Sequence, residues 1–550
     1  LPVLEFLKLM NQLAGSRRRT ILIGGVVAGL LEGLTIAVIG MGLDDFANDK
    51  TVPVRVFLLF ALCVIGYYVI FRLTMRACTE VAFNAVSDLQ LRISDKLRQT
   101  AYMSFMSMER SEVYSALMGN KDIMIEASRF LVSFVSGVAM MFCAFCYAAF
   151  ISLTGLLVIV GILVTCGMIF VSMHRQTIAQ QEAARIRESE FLASLRHLLD
   201  GFTELKMNRA KSDDLYHNSI RALNQKAIAA RQSMERTTIQ ATAFFTTFAY
   251  LPVGAVLFLL PKVISSVSTE QIIKLIAVTL FSLSPMMGLV LFIPLSTKAY
   301  MMYQGLTSFE AFLDSRGEPG PPRPPVAPAF ERLEIKDASF TYEGPNPFSI
   351  TVGDFHLNQG ELVVLAGGNG SGKSTFMRVL AGLIPLSNGT IQVNGQPLGG
   401  MGLDDYRSLF SVIFTEFHLF DTLYGIKEPD LERLQGLLEM MKLTDKVTVT
   451  GRTFSTTELS SGQRKRLALI CAMMEDRQIM LFDEVAADFD FHFRDFFYRT
   501  LLPELKAAGK TILAISHDDR YFHVADRVLT MHYGSFEPPA SASPPACPVL

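Results

Sequence analysis

At 550 residues the chain exceeds one ordinary domain, and half of its residues are hydrophobic with a positive mean hydropathy, so two units are expected, at least one of them in a membrane. A net charge of −2 provides no overall basic excess for a polyanion, and nucleic acid is set aside as a partner. Seven scattered cysteines are too few for a disulfide scaffold.

In chain order, no charged n-region, apolar h-region and cleavage pattern precede the first long apolar run, so no removable signal peptide is expected. The apolar runs are Thr20 to Leu43, interrupted only by Glu32; Val56 to Phe71 with its flanks; Phe130 to Met173; Thr237 to Leu260; and Leu275 to Thr297. The third run is about twice the ~20 residues of one crossing and breaks at Ser152 to Gly155 into two helices. The expectation is an all-α transmembrane domain over 1–315 with six helices near 20–43, 52–75, 130–151, 156–173, 237–260 and 275–297. Cys63, Cys78, Cys143, Cys146 and Cys166 lie in or beside these runs; the C-x-x-C of Cys143 and Cys146 has apolar neighbours and reads as helix packing rather than a metal site.

Arg17, Arg18 and Arg19 precede the first helix, and the segments Arg72 to Arg129 and Arg175 to Arg236 are rich in Lys and Arg. By the positive-inside rule these are cytoplasmic, as are both termini. The two long inner segments keep helical periodicity, so they are expected to project past the membrane as long helices that turn near Ser111 to Asn120 and Asn208 to Asn218. Glu32 sits mid-span, where an unpaired carboxylate is costly; it faces a cavity or partner, as a substrate or proton contact, or else serves as a protonated or hydrogen-bonded packing residue.

Residues 316–329 hold six prolines between Arg316 and Pro328 and read as an extended linker. From Phe330 short β-rich runs alternate with helical ones, an α/β domain over 330–536, followed by a Pro, Ala and Ser-rich tail at 537–550 that is expected to be disordered.

The buried-strand pattern Glu361 to Ala366 leads straight into Gly367, Gly368, Asn369, Gly370, Ser371, Gly372, Lys373, Ser374 and Thr375, and then a helical run. This is a P-loop in its required context: backbone N–H groups turn toward phosphate, Lys373 reaches the β- and γ-phosphates, and the Ser374 hydroxyl ligates Mg²⁺. A second strand, Gln478 to Phe482, ends in Asp483 and Glu484. At the carboxyl end of such a strand, Asp483 would hold Mg²⁺ and Glu484 would polarise the water that attacks the γ-phosphate of ATP. Leu459-Ser460-Ser461-Gly462-Gln463 precedes that strand and heads a cationic helix.

The last segment resembles the ABC signature sequence, with Ser461 in place of the usual glycine, and with the P-loop it is similar to a type IV ABC exporter half-transporter. The resemblance implies that Tyr342 stacks on adenine, Asp490 is the D-loop aspartate and His517 is the switch histidine that contacts the γ-phosphate. It also implies that the signature of one subunit closes on the nucleotide of another, hence a homodimer. Where the family has its Q-loop glutamine, this chain has Thr415 followed by Glu416. Phe414 to Phe420, Ser461 to Leu467, Leu481 to Asp488 and Ala514 to Phe522 together resemble the bacterial cyclic-peptide and siderophore-peptide exporters, although Val485 and Phe489 depart from that pattern. The function implied is an ATP-hydrolysing translocase of the bacterial inner membrane that moves a cyclic or nonribosomal peptide, or a siderophore-type substrate, from cytoplasm to periplasm by alternating access. A lipid or glycolipid flippase and a nontransporting ATP-binding regulator are the alternatives.

Overall fold

The computed structural model describes residues 2–47, 53–108, 113, 117, 121–263, 268–318, 326–342 and 348–537. Most of the turning point expected near Ser111 to Asn120, residues 319–325 of the Pro-rich linker and the tail from 538 lie outside the described residues. The chain divides into two compact units, Leu1–Arg98 with Glu109–Ser315, and Gln99–Met108 with Arg316–Leu550.

The first unit is helical. Its elements are α1 (Pro2–Leu13), α2 (Arg18–Ala47), α3 (Val54–Arg98), then, past α4 (Tyr102–Ser107) of the other unit, α5 (Lys121–Ile151), α6 (Leu153–Asp200), a long helix α7 (Arg209–Lys262) and α8 (Thr269–Asp314). Among the described residues six helices, α2, α3 and α5 to α8, are long and apolar enough to cross a membrane. Four of them run well past their apolar stretch, α3 to Arg98, α6 to Asp200, α7 back to Arg209 and α8 to Asp314, because hydropathy marks only the part suited to lipid while helical periodicity continues beyond it. The break between α5 and α6 is set by Ser152, whose Oγ accepts the Gly155 backbone N–H at 3.2 Å and caps α6. α7 carries two π-helical turns, Leu215–Ile220 and Ala255–Leu259.

Small residues let α2 and α5 approach closely. Gly25, Gly29 and Gly33 recur every four residues on one face of α2, and a Cβ on Gly29 would fall 2.1 Å from the Ser136 carbonyl oxygen. Beside it, a Cβ on Gly33 would meet the Cys143 Cβ at 2.5 Å, so Cys143 serves this contact. Gly29→Ile is therefore expected to force the two helices apart, at a cost of at least about 1–3 kcal/mol. The check is a lower melting temperature in detergent beside Gly42→Ala, where a Cβ meets nothing within 4 Å. At the N-terminal side, α1 buries Phe6 and Met10 against Phe292 of α8, with the Phe6 and Phe292 rings 6.0 Å apart and edge-on.

The second unit is built on a ten-stranded sheet in the order β5-β4-β1-β2-β12-β11-β3-β10-β9-β6. The strands are β1 (Arg332–Thr341), β2 (Ser349–Asn358), β3 (Leu362–Ala366), β4 (Asn388–Val393), β5 (Gln396–Pro397), β6 (Phe410–Ile413), the small hairpin β7 (Val449–Thr450) and β8 (Thr453–Phe454), β9 (Ile479–Asp483), β10 (Thr511–Ile515), β11 (Arg527–His532) and β12 (Ser535–Phe536). β11, β3, β10, β9 and β6 are parallel neighbours, and the all-buried patterns of β3, β9 and β10 match strands covered on both faces.

The expected domain boundary at 315 and 316 assigns everything before it to the membrane half, whereas Gln99–Met108 is part of the second unit. Its short helix α4 (Tyr102–Ser107) presents Tyr102 and Met103 to the core that holds Phe376 and Tyr406. The Ala101 N–H donates to the Arg316 carbonyl at 2.9 Å, and the Glu318 N–H donates to the Gln99 carbonyl at 2.9 Å. The Arg407 guanidinium then grips the Glu318 carboxylate with two bonds of 2.6 and 2.8 Å. The ends of the Pro-rich stretch are thus tied to the second unit; at the far end the Val326 N–H donates to Asp405 Oδ1 at 2.8 Å.

Candidate active site

Parallel pairing brings four strand ends together. Ile515 of β10 lies in register with Leu365 of β3 on one side and Asp483 of β9 on the other, and Ile413 of β6 pairs with Phe482. The P-loop, Asp483 with Glu484, His517 and Thr415 all follow within a few residues of that line, at the carboxyl edge where open α/β sheets hold ligands.

After β3 the chain turns sharply at Gly367, with φ +144, where a Cβ would sit 2.3 Å from the Met531 carbonyl oxygen; only glycine fits. Gly372, with φ +105, precedes helix α9 (Lys373–Leu380), so the loop ends on a helix N-terminus. The Lys373 ammonium is buried and donates to the carbonyls of Gly367 at 3.0 Å and Gly368 at 2.9 Å. Burial holds its pKa below the ordinary lysine value, with Glu484 and Asp483 acting in the opposite sense.

Ser374 Oγ donates to Asp483 Oδ1 at 3.2 Å, and Thr415 Oγ1 donates to the Asp483 carbonyl at 3.3 Å. Asp483 is 0% exposed, its Oδ2 has no hydrogen-bond partner, and burial pushes its pKa up. A buried, half-satisfied carboxylate beside a serine hydroxyl offers the hard oxygen donors that suit Mg²⁺, and the glycine-lined loop with its buried lysine suits a polyphosphate, so the residues fit both Mg²⁺ and ATP.

Glu484 sits in the left-handed region at φ 51, an uncommon place for a residue with a side chain. Two groups hold it there: Lys465 Nζ donates to its carbonyl at 3.1 Å, and His517 Nε2 lies 2.8 Å from its Oε1. Lys465 is buried and also pairs with Asp488 at 2.8 Å. Sequence reasoning passed over Lys465 as one of three cations on a helix; its place on the same face as the buried Ala468, Leu469 and Ala472 was the available signal.

Helix α10 (Ser461–Glu475) begins at the signature. Ser460 and Gln463 form a reciprocal capping box, and the missing side chain of Gly462 admits the Asp488 carbonyl, 2.8 Å from where a Cβ would be. Ser460 and Ser461 are exposed. Among the described residues no hydrogen bond or ion pair joins Ser460, Ser461, Gly462 or Gln463 to the P-loop of the same chain. Asp490 accepts the Phe493 N–H at 2.9 Å and a 2.6 Å bond from Arg466. Tyr342 follows β1; its N–H donates to the Phe348 carbonyl, its ring packs edge-on against Phe340 at 4.8 Å, and the Phe348 ring reaches Gly372 at the P-loop. Glu416 is exposed.

Residues 351–487 match the ABC transporter family. A solved bacterial Atm1-family ABC exporter with ATP bound superposes with a TM-score of 0.76 over 95% of both chains, at 15% sequence identity. The chain has the fold of an ABC exporter. Among curated proteins, this exporter-fold chain is 34% identical over 356 residues to the ATP-binding protein SyrD of Pseudomonas syringae pv. syringae, covering 61% of this chain and 62% of that protein. It is 30% identical over 248 residues to the ATP-dependent lipid A-core flippase of Burkholderia orbicola (strain AU 1054), covering 42% of this chain and 41% of that protein. It is 30% identical over 224 residues to the macrolide export ATP-binding/permease protein MacB of Escherichia coli (strain K12), covering 38% and 34%. The matched part of the chain thus spans between 34% and 62% of the length of these relatives.

Proposed function

We propose that this chain is one half of an ATP-driven exporter that works as a homodimer in the bacterial inner membrane, with both termini cytoplasmic, and carries a cyclic or nonribosomal peptide or siderophore-type substrate outward by alternating access. The single observation that carries this reading is the split site: Lys373, Ser374, Asp483, Glu484 and His517 gather at one sheet edge, while Ser460 to Gln463 make no hydrogen bond to them and Ser460 and Ser461 are exposed. A second copy is the natural source of the missing signature.

In this reading the P-loop amides and Lys373 cradle the phosphates, Tyr342 stacks on adenine, and Ser374 with Asp483 holds Mg²⁺, which when bound screens phosphate charge. Glu484 takes the proton of the attacking water, and His517, hydrogen-bonded to Glu484, orients it and senses the γ-phosphate. Lys465 carries the state of the signature helix to the Glu484 backbone. The gathered catalytic groups favour turnover over a purely regulatory role, and the absence of Lys or Arg from the apolar runs favours a peptide over an anionic lipid.

The test of the split site places Asn369→Cys and Ser461→Cys on separately tagged copies, in a background free of other cysteines and carrying Glu484→Gln. A chain-to-chain disulfide that needs ATP is the expected result; a link within one chain, or none, overturns the dimeric site. Export itself is read in inverted vesicles, where ATP should drive uptake of a labelled cyclic peptide, and uptake of a labelled lipid alone would favour the flippase.

A further inference from the structure

We infer that Arg494 and Tyr498 are positioning residues for hydrolysis: they hold the two neighbours of His517 and so set its contact with Glu484. This rests on the reading of Glu484 and His517 as the hydrolytic pair. Both lie beyond the paired parts of their strands. The register of β9 with β10 ends at Asp483 and Ile515, and among the described residues no backbone hydrogen bond joins 484–490 to 516–519. The His517 side chain is 41% exposed, so its 2.8 Å approach to Glu484 needs support from the residues on either side of it.

That support comes from one helical stretch. Phe491–Phe496 continues into a π-helical turn, Phe497–Leu501, and Arg494 and Tyr498 stand four residues apart along it. Tyr498 is buried, its ring stacks on Tyr521 with centroids 4.6 Å apart, and its hydroxyl donates to Ser516 Oγ at 2.8 Å. Ser516 Oγ also accepts the Asp518 N–H at 3.1 Å. On the far flank of His517 the Asp518 carboxylate lies 3.7 Å from Arg494 Nη1, and Arg520 fixes its orientation with two bonds of 2.7 Å.

Arg494 reaches the Glu484 side as well. Its Nη2 donates to the carbonyls of Ala487 at 3.2 Å and Phe489 at 3.1 Å, in the turn that follows Glu484. Lys465 holds the same turn from helix α10, through the Glu484 carbonyl and the Asp488 carboxylate. The guanidinium thus bridges the turn after Glu484 and the loop of His517. A group placed only to cap that turn would need Ala487 and Phe489 alone; the ion pair with Asp518 is what extends its hold to His517. Arg494 Nε is buried without a hydrogen-bond partner, a cost that a side chain serving the fold alone has no reason to bear.

The experiment compares ATP turnover and ATP binding by the reconstituted full-length protein as wild type, Tyr498→Phe, Asp518→Ala, Arg494→Gln and the last two combined. Arg494→Gln and Asp518→Ala are each expected to lower kcat at least about tenfold with the ATP Kd within about threefold of wild type, since alignment is lost and binding is not. Tyr498→Phe keeps the stacked ring and should lower kcat about threefold or more. The double variant should be no slower than Arg494→Gln, because both changes break the same bridge. Wild-type turnover in Asp518→Ala or Tyr498→Phe, a parallel loss of binding and turnover, or fully multiplied losses in the double variant overturns the inference alone. Absence of turnover in wild type overturns the hydrolytic reading together with it. Should Arg494→Gln fail to fold, Asp518→Ala and Tyr498→Phe, which leave both carbonyl bonds in place, still decide.

Discussion

Replacing Glu484 by glutamine is expected to lower ATP turnover by about 10²–10⁴-fold while ATP binding persists. Of the two carboxylates at this strand end, Asp483 is fully buried and bonded to the P-loop Ser374, whereas Glu484 is partly exposed and its Oε1 meets the His517 ring at 2.8 Å, which makes Glu484 the group a water can reach. Glutamine keeps the shape and can still hydrogen-bond His517, but its amide cannot take a proton from water. Lys465 bonds the Glu484 carbonyl rather than its side chain, so the left-handed backbone survives the change. Phosphate release and nucleotide binding by the reconstituted protein provide the measurement; turnover within a few-fold of wild type would move the base to another group.

Replacing Asp483 by asparagine is expected to abolish turnover and, in the absence of nucleotide, to raise the melting temperature near neutral pH. Burial lifts the Asp483 pKa above its unfolded value, with the Ser374 hydrogen bond only partly opposing it. A carboxyl whose folded pKa is raised favours the fold fully below the unfolded pKa, and that contribution is lost as pH rises through the folded pKa. Above the raised pKa the ionised, half-satisfied group therefore weighs against the nucleotide-free fold, and asparagine removes that burden; each kcal/mol recovered should move the midpoint by about 2–4 °C. The advantage of the variant should shrink as pH falls through the raised pKa. Wild type should gain stability from Mg²⁺ with ATP where the variant does not. A variant that melts below wild type at pH 7.5 without nucleotide would contradict this account.

Much of the site was legible because its parts sit at strand ends, and strand ends carry their own punctuation: Ala366 into Gly367, Phe482 into Asp483, Ser516 into His517. Adjacency of those strands was inferred, and the register of Leu365, Ile515 and Asp483 supplies it. Lys465 was opaque because a lysine in a basic triplet looks solvated until its helix is docked on Asp488. The extensions of α3 and α6 were legible in the helical periodicity beyond their apolar stretches, whereas that of α8 past Thr297 was underread, since hydropathy falls where the helix leaves its apolar stretch but backbone hydrogen bonding does not. Helix α1 went unread although Phe6 and Met10 stand at helical spacing, because its apolar face is too short to register as a crossing. Gln99–Met108 was misassigned because a six-residue helix between charged segments has no signal of its own; only Tyr102 and Met103 reveal where it belongs, and only by what they cover.

That segment changes what counts as a separable piece of this protein. A fragment that begins at the Pro-rich stretch keeps every strand of the sheet and every phosphate-binding residue, yet it leaves behind the two side chains that roof the hydrophobic surface near Phe376 and Tyr406, and it removes the backbone partners of Arg316 and Glu318. The sheet-bearing unit is assembled from two distant lengths of chain, so its folding is completed only after the ribosome has made both, with four long apolar helices among the described residues emerging between them. Synthesis order thus completes the sheet-bearing unit only after every long apolar helix of the other unit has been made.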